Sequence, residues 1–153
     1  MEPQRIEVPG IYVNLSPDAF HMWATHYYKC RQDFKPPHKF SPVPYFLLCR
    51  AIELELKARH LQKMGQLEVK DAFSHDMLLS YSALNQDEKI LTNDEFAGLE
   101  RANEIYKSKG FEYFVPSHAL TGYSIYPDLD LLDTIARKLI GNDSVLTSEI
   151  SEP

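Results

Sequence analysis

The six histidines are the side chains best suited to binding a metal or moving a proton at neutral pH, so their spacing is weighed first. A di-metal helical bundle needs Glu-x-x-His on two helices, and that pattern does not occur; Asp18 and His21 come nearest. His21 and His26 are five residues apart and would point away from each other on a helix, so no metal ligand is assigned. Cys-x-x-Cys, Gly-x-Gly-x-x-Gly, a phosphate-loop lysine motif and Gly-x-Ser-x-Gly are also absent, and no cofactor is expected. Ser74, His75 and Asp76 supply the residue types of a hydrolytic triad, but neighbours on a helix diverge and cannot form its chain of hydrogen bonds. A helix start suits them better, with Asp71 or Ser74 as cap, Asp76 favoured by the dipole and His75 bonding to a neighbouring helix.

A second group of chemical interest lies on one helix. In the run from Pro44 to Gly65, Arg50, Glu53, Lys57 and His60 share a polar arc between two apolar lines. One line is Leu47, Ala51, Leu54, Ala58 and Leu61; the other is Tyr45, Leu48, Ile52 and Leu56, so the helix is expected to touch neighbours on two sides. Glu53 with Lys57 and Glu55 with Arg59 are acid-before-base pairs four apart, each stabilising an exposed helix by about 0.2–0.5 kcal/mol. Pro42 and Pro44 suit the entrance, and Gly65 suits a left-handed stop.

The remaining elements arrange themselves around this helix. Residues 1–15 read as an extended arm, with a turn signal at Pro9-Gly10 and a β-favouring run at Ile11–Val13. Ser16, Pro17 and Asp18 form a helix start, and Phe20, Trp23, Ala24, Tyr27 and Cys30 then predict an aromatic inner face to about Arg31. Gln32–Pro44 holds four of the ten prolines and reads as a stiff crossing. After the central helix, Met77, Leu78, Tyr81 and Leu84 predict a short third helix. Thr92 or Asn93 can cap a fourth, Glu95 being placed for a capping box with Thr92, with Phe96, Leu99, Ala102 and Tyr106 inward and Gly110 as its end. The aromatic stretch 111–126 is expected to be a loop wrapped on the bundle rather than strands. A last helix begins near Pro127-Asp128, turns Leu129, Leu132, Ile135, Ala136 and Leu139 inward and stops at Gly141; residues 142–153 read as a disordered tail. The prediction is an all-α fold: an antiparallel four- to five-helix bundle over 16–141 with a long aromatic loop before the last helix.

The formal net charge of -6 argues against strong non-specific nucleic-acid binding, yet its distribution is uneven. Residues 29–70 carry nine Lys or Arg against four acids, whereas 71–153 carry six against fifteen. That asymmetry allows a local basic surface, or simply a solvated helix face. Cys30 and Cys49 read as reduced core thiols. No run approaches the length of a membrane span and the start lacks an apolar signal core, so a cytoplasmic protein with no membrane partner is expected.

Phe46, Ala51-Ile52-Glu53 and Lys57 on a long helix, the Gly65 turn, and Ser74-His75-Asp76-Met77-Leu78 opening the next helix resemble the central pattern of the HEPN (higher eukaryote and prokaryote nucleotide-binding) domain superfamily. Tyr126-Pro127 ahead of the last helix is a second point of similarity. The direct match covers residues 45–84. The resemblance implies a helical bundle, usually a homodimer, that cleaves RNA in many members and binds nucleotides, RNA or partner proteins in others. Catalytic members carry Arg, a polar residue and a following His near the last helix, which suits proton transfer beside a stabilised phosphate. Here Arg137 has no following histidine, and the only pair at that separation is Arg31 and His38, with Gln32 between them, in the proline-rich crossing. The expectation is therefore a non-catalytic HEPN-like module binding a nucleotide, RNA or a protein through Arg50, Glu53, Lys57 and His75. The alternatives are a metal-independent toxin-type RNase using Arg31 and His38, paired with a nucleotidyltransferase-like antitoxin, and an assembly protein presenting Phe111–Tyr126 with no ligand.

Overall fold

A computed structural model of the chain describes residues 16–141 and the backbone of two short strands, β1 (Glu7–Val8) and β2 (Ile11–Tyr12). The strands pair antiparallel, Glu7 opposite Tyr12 and Val8 opposite Ile11. The tail from 142 onward lies outside the described residues. The other regular elements among the described residues are helical: α1 (Pro17–Asp33), α2 (Val43–Leu61), α3 (Gln66–Phe73), α4 (Met77–Ser82), α5 (Asn93–Lys107), α6 (Pro116–Leu120) and α7 (Leu129–Gly141), with one 3-10 turn at Gln86–Glu88. The all-α bundle is as expected, with α3 and α6 added to the five anticipated helices. Among the described residues no helix is long and apolar enough to cross a membrane.

Local chemistry sets the long helices. Ser16 Oγ accepts from the Ala19 amide at 3.2 Å with Pro17 at the first position. Thr92 and Glu95 close the expected capping box, their side chains bonding the Glu95 and Thr92 amides at 3.2 and 2.8 Å. Pro42 caps α2, and Pro44 is buried in its first turn. Gly65 is not a left-handed stop. Its φ of -75° and ψ of 162° are extended, and it caps α3 instead, while α2 ends by tightening onto the Arg59 and His60 carbonyls. The left-handed residue after α5 is likewise Lys109 (φ 63°), one position before the expected Gly110. Gly110 and Lys109 donate to the Ile105 and Tyr106 carbonyls, the pattern of a Schellman end. Gly110 is needed there for room: a Cβ would stand 2.6 Å from Ile105 Cγ2.

The core forms around α2, which packs against α1, α3, α4, α5 and α7. Its two apolar lines do face two sides. Tyr45, Leu48, Ile52 and Leu56 join Met77, Tyr81, Leu99, Ala102, Leu132, Ile135 and Leu139 in the main cluster. Ala51 and Leu54 meet Ala24 and Ile140 in a second one, flanked by Phe20, Tyr27 and Tyr28. The α1 face is therefore Phe20, Ala24, Tyr27 and Tyr28. Trp23 is 52% exposed and Cys30 is exposed too, contrary to their expected inward placement; Cys49 alone is a core thiol. Aromatic residues surround α1 on several sides, so spacing did not single out the face that α2 covers.

The 111–126 stretch contains no strand and folds as turns around α6. Tyr126 holds it down, its hydroxyl donating to the Gly110 carbonyl at 3.2 Å and its ring meeting Phe40, Tyr45, Phe111, His118 and Tyr123 edge-on. Edge-to-face contacts of this kind are the favoured aromatic geometry. Phe40 stacks on Tyr123, which ties the proline-rich crossing to the same cluster.

Candidate functional site

Glu53 sits in the middle of α2 with 2% of its side chain exposed, where an unpaired carboxylate would be costly. Four donors resolve that cost. Arg50 Nη1 and the Tyr106 hydroxyl donate to Oε1 at 2.7 and 2.6 Å, and Lys57 Nζ reaches Oε2 at 3.2 Å. His75 Nδ1 lies 2.7 Å from Oε2. An ionised carboxylate only accepts, so Nδ1 carries the proton and Nε2 is the free end of the ring. Burial pushes the Glu53 pKa up, but the Tyr106 hydrogen bond, the Lys57 charge, the His75 hydrogen bond and the Arg50 charge together bring it below the usual carboxylate range. Burial, then the Glu53 charge, push the Tyr106 phenol well up, so it stays a donor. Burial would lower the Arg50 pKa, but the Glu53 charge outweighs it and keeps the guanidinium charged.

The helices fix these partners differently. Arg50, Glu53 and Lys57 come from α2 at steps of three and four, which place them on one face. Tyr106 reaches in from the last turn of α5. His75 arrives on a tight turn: the Asp76 amide donates to the Phe73 carbonyl at 2.8 Å, and Ser74 takes φ 45° and ψ -121°. Those angles fit the first central position of a type II′ turn, which glycine normally fills. Asn103, 1% exposed on α5, secures the next residues, its Oδ1 accepting from the Met77 amide and its Nδ2 donating to Asp76 Oδ1, both at 2.9 Å. Asp76 also caps α4 through the Leu79 amide, a role the sequence offered to Asp71 or Ser74.

Two cavities open beside this group. One of about 340 Å³ is lined by Tyr27, Phe46, Arg50, His75, Tyr106, Lys107, Lys109 and Glu112. The other, of about 330 Å³, takes in Phe20, Leu54, Leu61 and Val69 together with Lys57 and Lys70, and shares Arg50 and His75 with the first. The Arg50 guanidinium lies 5.8 Å from the Tyr27 ring centroid, within cation–π range. The His75 side chain is 61% exposed. The arrangement offers fixed positive charge, aromatic faces and an oriented imidazole, which is the chemistry of anion and base recognition. Among the described residues, no three His, Cys, Asp or Glu side chains gather to hold a metal.

The structure thus brings together Arg50, Glu53, Lys57 and His75, the four residues singled out from the sequence. His60, placed on the same arc, is buried elsewhere: Nε2 lies 2.7 Å from the Ser80 carbonyl and the ring stacks on Phe73. Arg31 is half-buried at the end of α1 and His38 is exposed in the crossing, with no hydrogen bond or ion pair joining them among the described residues. Tyr106, Asn103, Tyr27, Lys107 and Lys109 were not identified. For Tyr106 a signal existed, since a tyrosine at the end of a buried stripe needs a partner for its hydroxyl and Glu53 needed donors.

Glu55, two positions on, faces the other way. It is 5% exposed at the side chain, with His21 Nδ1 2.6 Å away and Arg59 Nε at 3.8 Å. Arg59 also donates to the Leu139 carbonyl at 2.6 Å and pairs with Glu88 at 3.4 Å. This second polar group clamps α1, α2 and α7 and lines neither cavity. Both acid–base pairs of α2 are therefore real, but their acids are buried and their bases half-buried rather than on an exposed face. Compared with known protein families, curated proteins and solved structures, the chain gives no match.

Proposed function

We propose that this chain is a HEPN-like, non-catalytic helical module that binds the phosphate and base of a nucleotide or RNA at the face bearing Arg50, Lys57 and His75. The observation that supports it most is the convergence of the Arg50 and Lys57 cations and the His75 imidazole on buried Glu53 beside aromatic-lined cavities. Glu53 and Glu112 offset two charges and Glu104 pairs with Lys107, while Arg50, Lys57, Lys70, Lys107 and Lys109 stand around the two openings. The local balance is thus basic on a chain of net charge -6. Equilibrium binding of a 5′-phosphorylated oligoribonucleotide, with folding checked by circular dichroism, tests the reading. Arg50→Gln is expected to weaken binding about tenfold, the scale of a lost charge-assisted contact; unchanged affinity would remove Arg50 from the site and the proposal with it. Homodimerisation belongs to the same proposal, with the exposed Tyr113, Phe114 and Leu120 as the apolar surface available for it.

One observation favours an RNase as a second reading, and it lies at His75 rather than at Arg31 and His38. Glu53 fixes Nδ1 and leaves Nε2 free on a ring that lines the same cavity as Arg50, which suits a general base. Incubation with RNA decides it: cleavage abolished by His75→Gln and unaffected by His38→Ala supports this site, and the reverse supports the crossing.

A further inference from the structure

The two cavities share one wall, Arg50 and His75. Each volume, about 340 and 330 Å³, lies near the bottom of the range of about 300–1,000 Å³ for small-molecule sites and so takes one nucleoside-sized unit. We infer that the ligand is a dinucleotide segment of a single strand laid across the Arg50–His75 ridge, one unit in each cavity. The inference rests on the nucleotide-binding reading above and adds the length and path of the ligand.

The walls differ in a way that suits this path. The first cavity offers Tyr27 and Phe46 as faces for a base, Lys107 and Lys109 for a terminal phosphate, and Glu112 as an acceptor for ribose hydroxyls. On the ridge, Arg50 donates Nη1 to Glu53 and also engages the Tyr106 and Tyr27 hydroxyls, and its 31% exposed edge meets the bridging phosphodiester. The second cavity presents Phe20 over an apolar floor of Leu54, Leu61 and Val69, where a second base is sheltered, with Lys70 exposed at its edge. Base stacking on aromatic side chains tolerates any sequence, so recognition is by backbone and length.

The test compares adenosine 3′,5′-bisphosphate with 5′-phosphorylated ApA, which adds one nucleoside without adding a phosphate. Titration calorimetry is expected to show the dinucleotide binding about tenfold tighter, the gain from one stacked base. Phe20→Leu is expected to remove most of that gain and leave bisphosphate affinity unchanged; Lys70→Glu, which also takes positive charge from the face, is expected to weaken both probes and to shrink the ratio between them. Lys70 is exposed, so its variant keeps the comparison readable if Phe20→Leu loosens α1. If the bisphosphate binds and the dinucleotide gains nothing, or if both variants weaken both probes alike, the dinucleotide path is wrong while nucleotide binding stands. If neither probe binds, both fall.

Discussion

The Tyr106 hydroxyl and the Glu53 carboxylate lie 2.6 Å apart in the core, joining the end of α5 to the middle of α2 at a point closed to water. A donor held against a buried ionised acceptor contributes more than an ordinary hydrogen bond, because its loss leaves charge uncompensated. Tyr106→Phe keeps the ring and its packing and removes only the donor. Urea denaturation should show a loss of about 1.5–3 kcal/mol with an unchanged m-value.

The same carboxylate makes stability depend on pH. The folded pKa of Glu53 is depressed, so its contribution is fully present above the unfolded value, about 4.3. It is lost as pH falls through the lower folded value. Glu53→Gln should be less stable than the parent at neutral pH, and the gap should close as pH drops below about 4. Denaturation curves of both proteins across that window check the sign; a gap that widens in acid contradicts it.

Ser74 is a site of backbone strain beside the functional face. Its φ of 45° belongs to glycine, and the turn it makes delivers His75 to Glu53. Ser74→Gly should raise stability by about 0.5–1 kcal/mol and leave the His75 placement intact, whereas Ser74→Val should lower both stability and ligand affinity. Thermal melts with parallel binding measurements separate the two effects.

Lys109 and Gly110 should respond in opposite directions. Lys109→Gly relieves a left-handed lysine and is expected to add about 0.5–1 kcal/mol while weakening phosphate binding. Gly110→Ala places a methyl group against Ile105 and is expected to cost about 1–3 kcal/mol. Chemical denaturation of the pair reads both.

What could be read in the sequence follows from how local each determinant is. Ser16-Pro17-Asp18 and Thr92 with Glu95 act within one turn, so the first helix start was legible to the residue and the second to within one, Thr92 rather than Asn93 proving the cap. The stripes of α2 and α7 were legible because their periodicity is long and regular. α3 was not: in eight residues only Val69 and Phe73 are buried, too few to set a period. His60 was assigned to the polar arc by angle, but α2 is covered on so many sides that an arc between two apolar lines is itself partly buried. Arg50, Glu53, Lys57 and His75 were found because three share one helix face and the fourth belongs to a resembling motif. Asn103 and Tyr106 bond across 26 to 53 residues of chain, and no local spacing encodes such a pairing.

Side-chain NMR of the labelled chain, titrated with 5′-phosphorylated ApA, tests the central claim most directly. The Arg50 guanidinium and the His75 imidazole are expected to shift together, with Lys107 and Lys70 following on either side. Saturating ligand that leaves Arg50 and His75 unmoved while other signals shift, or no shift anywhere at millimolar ligand, would contradict it.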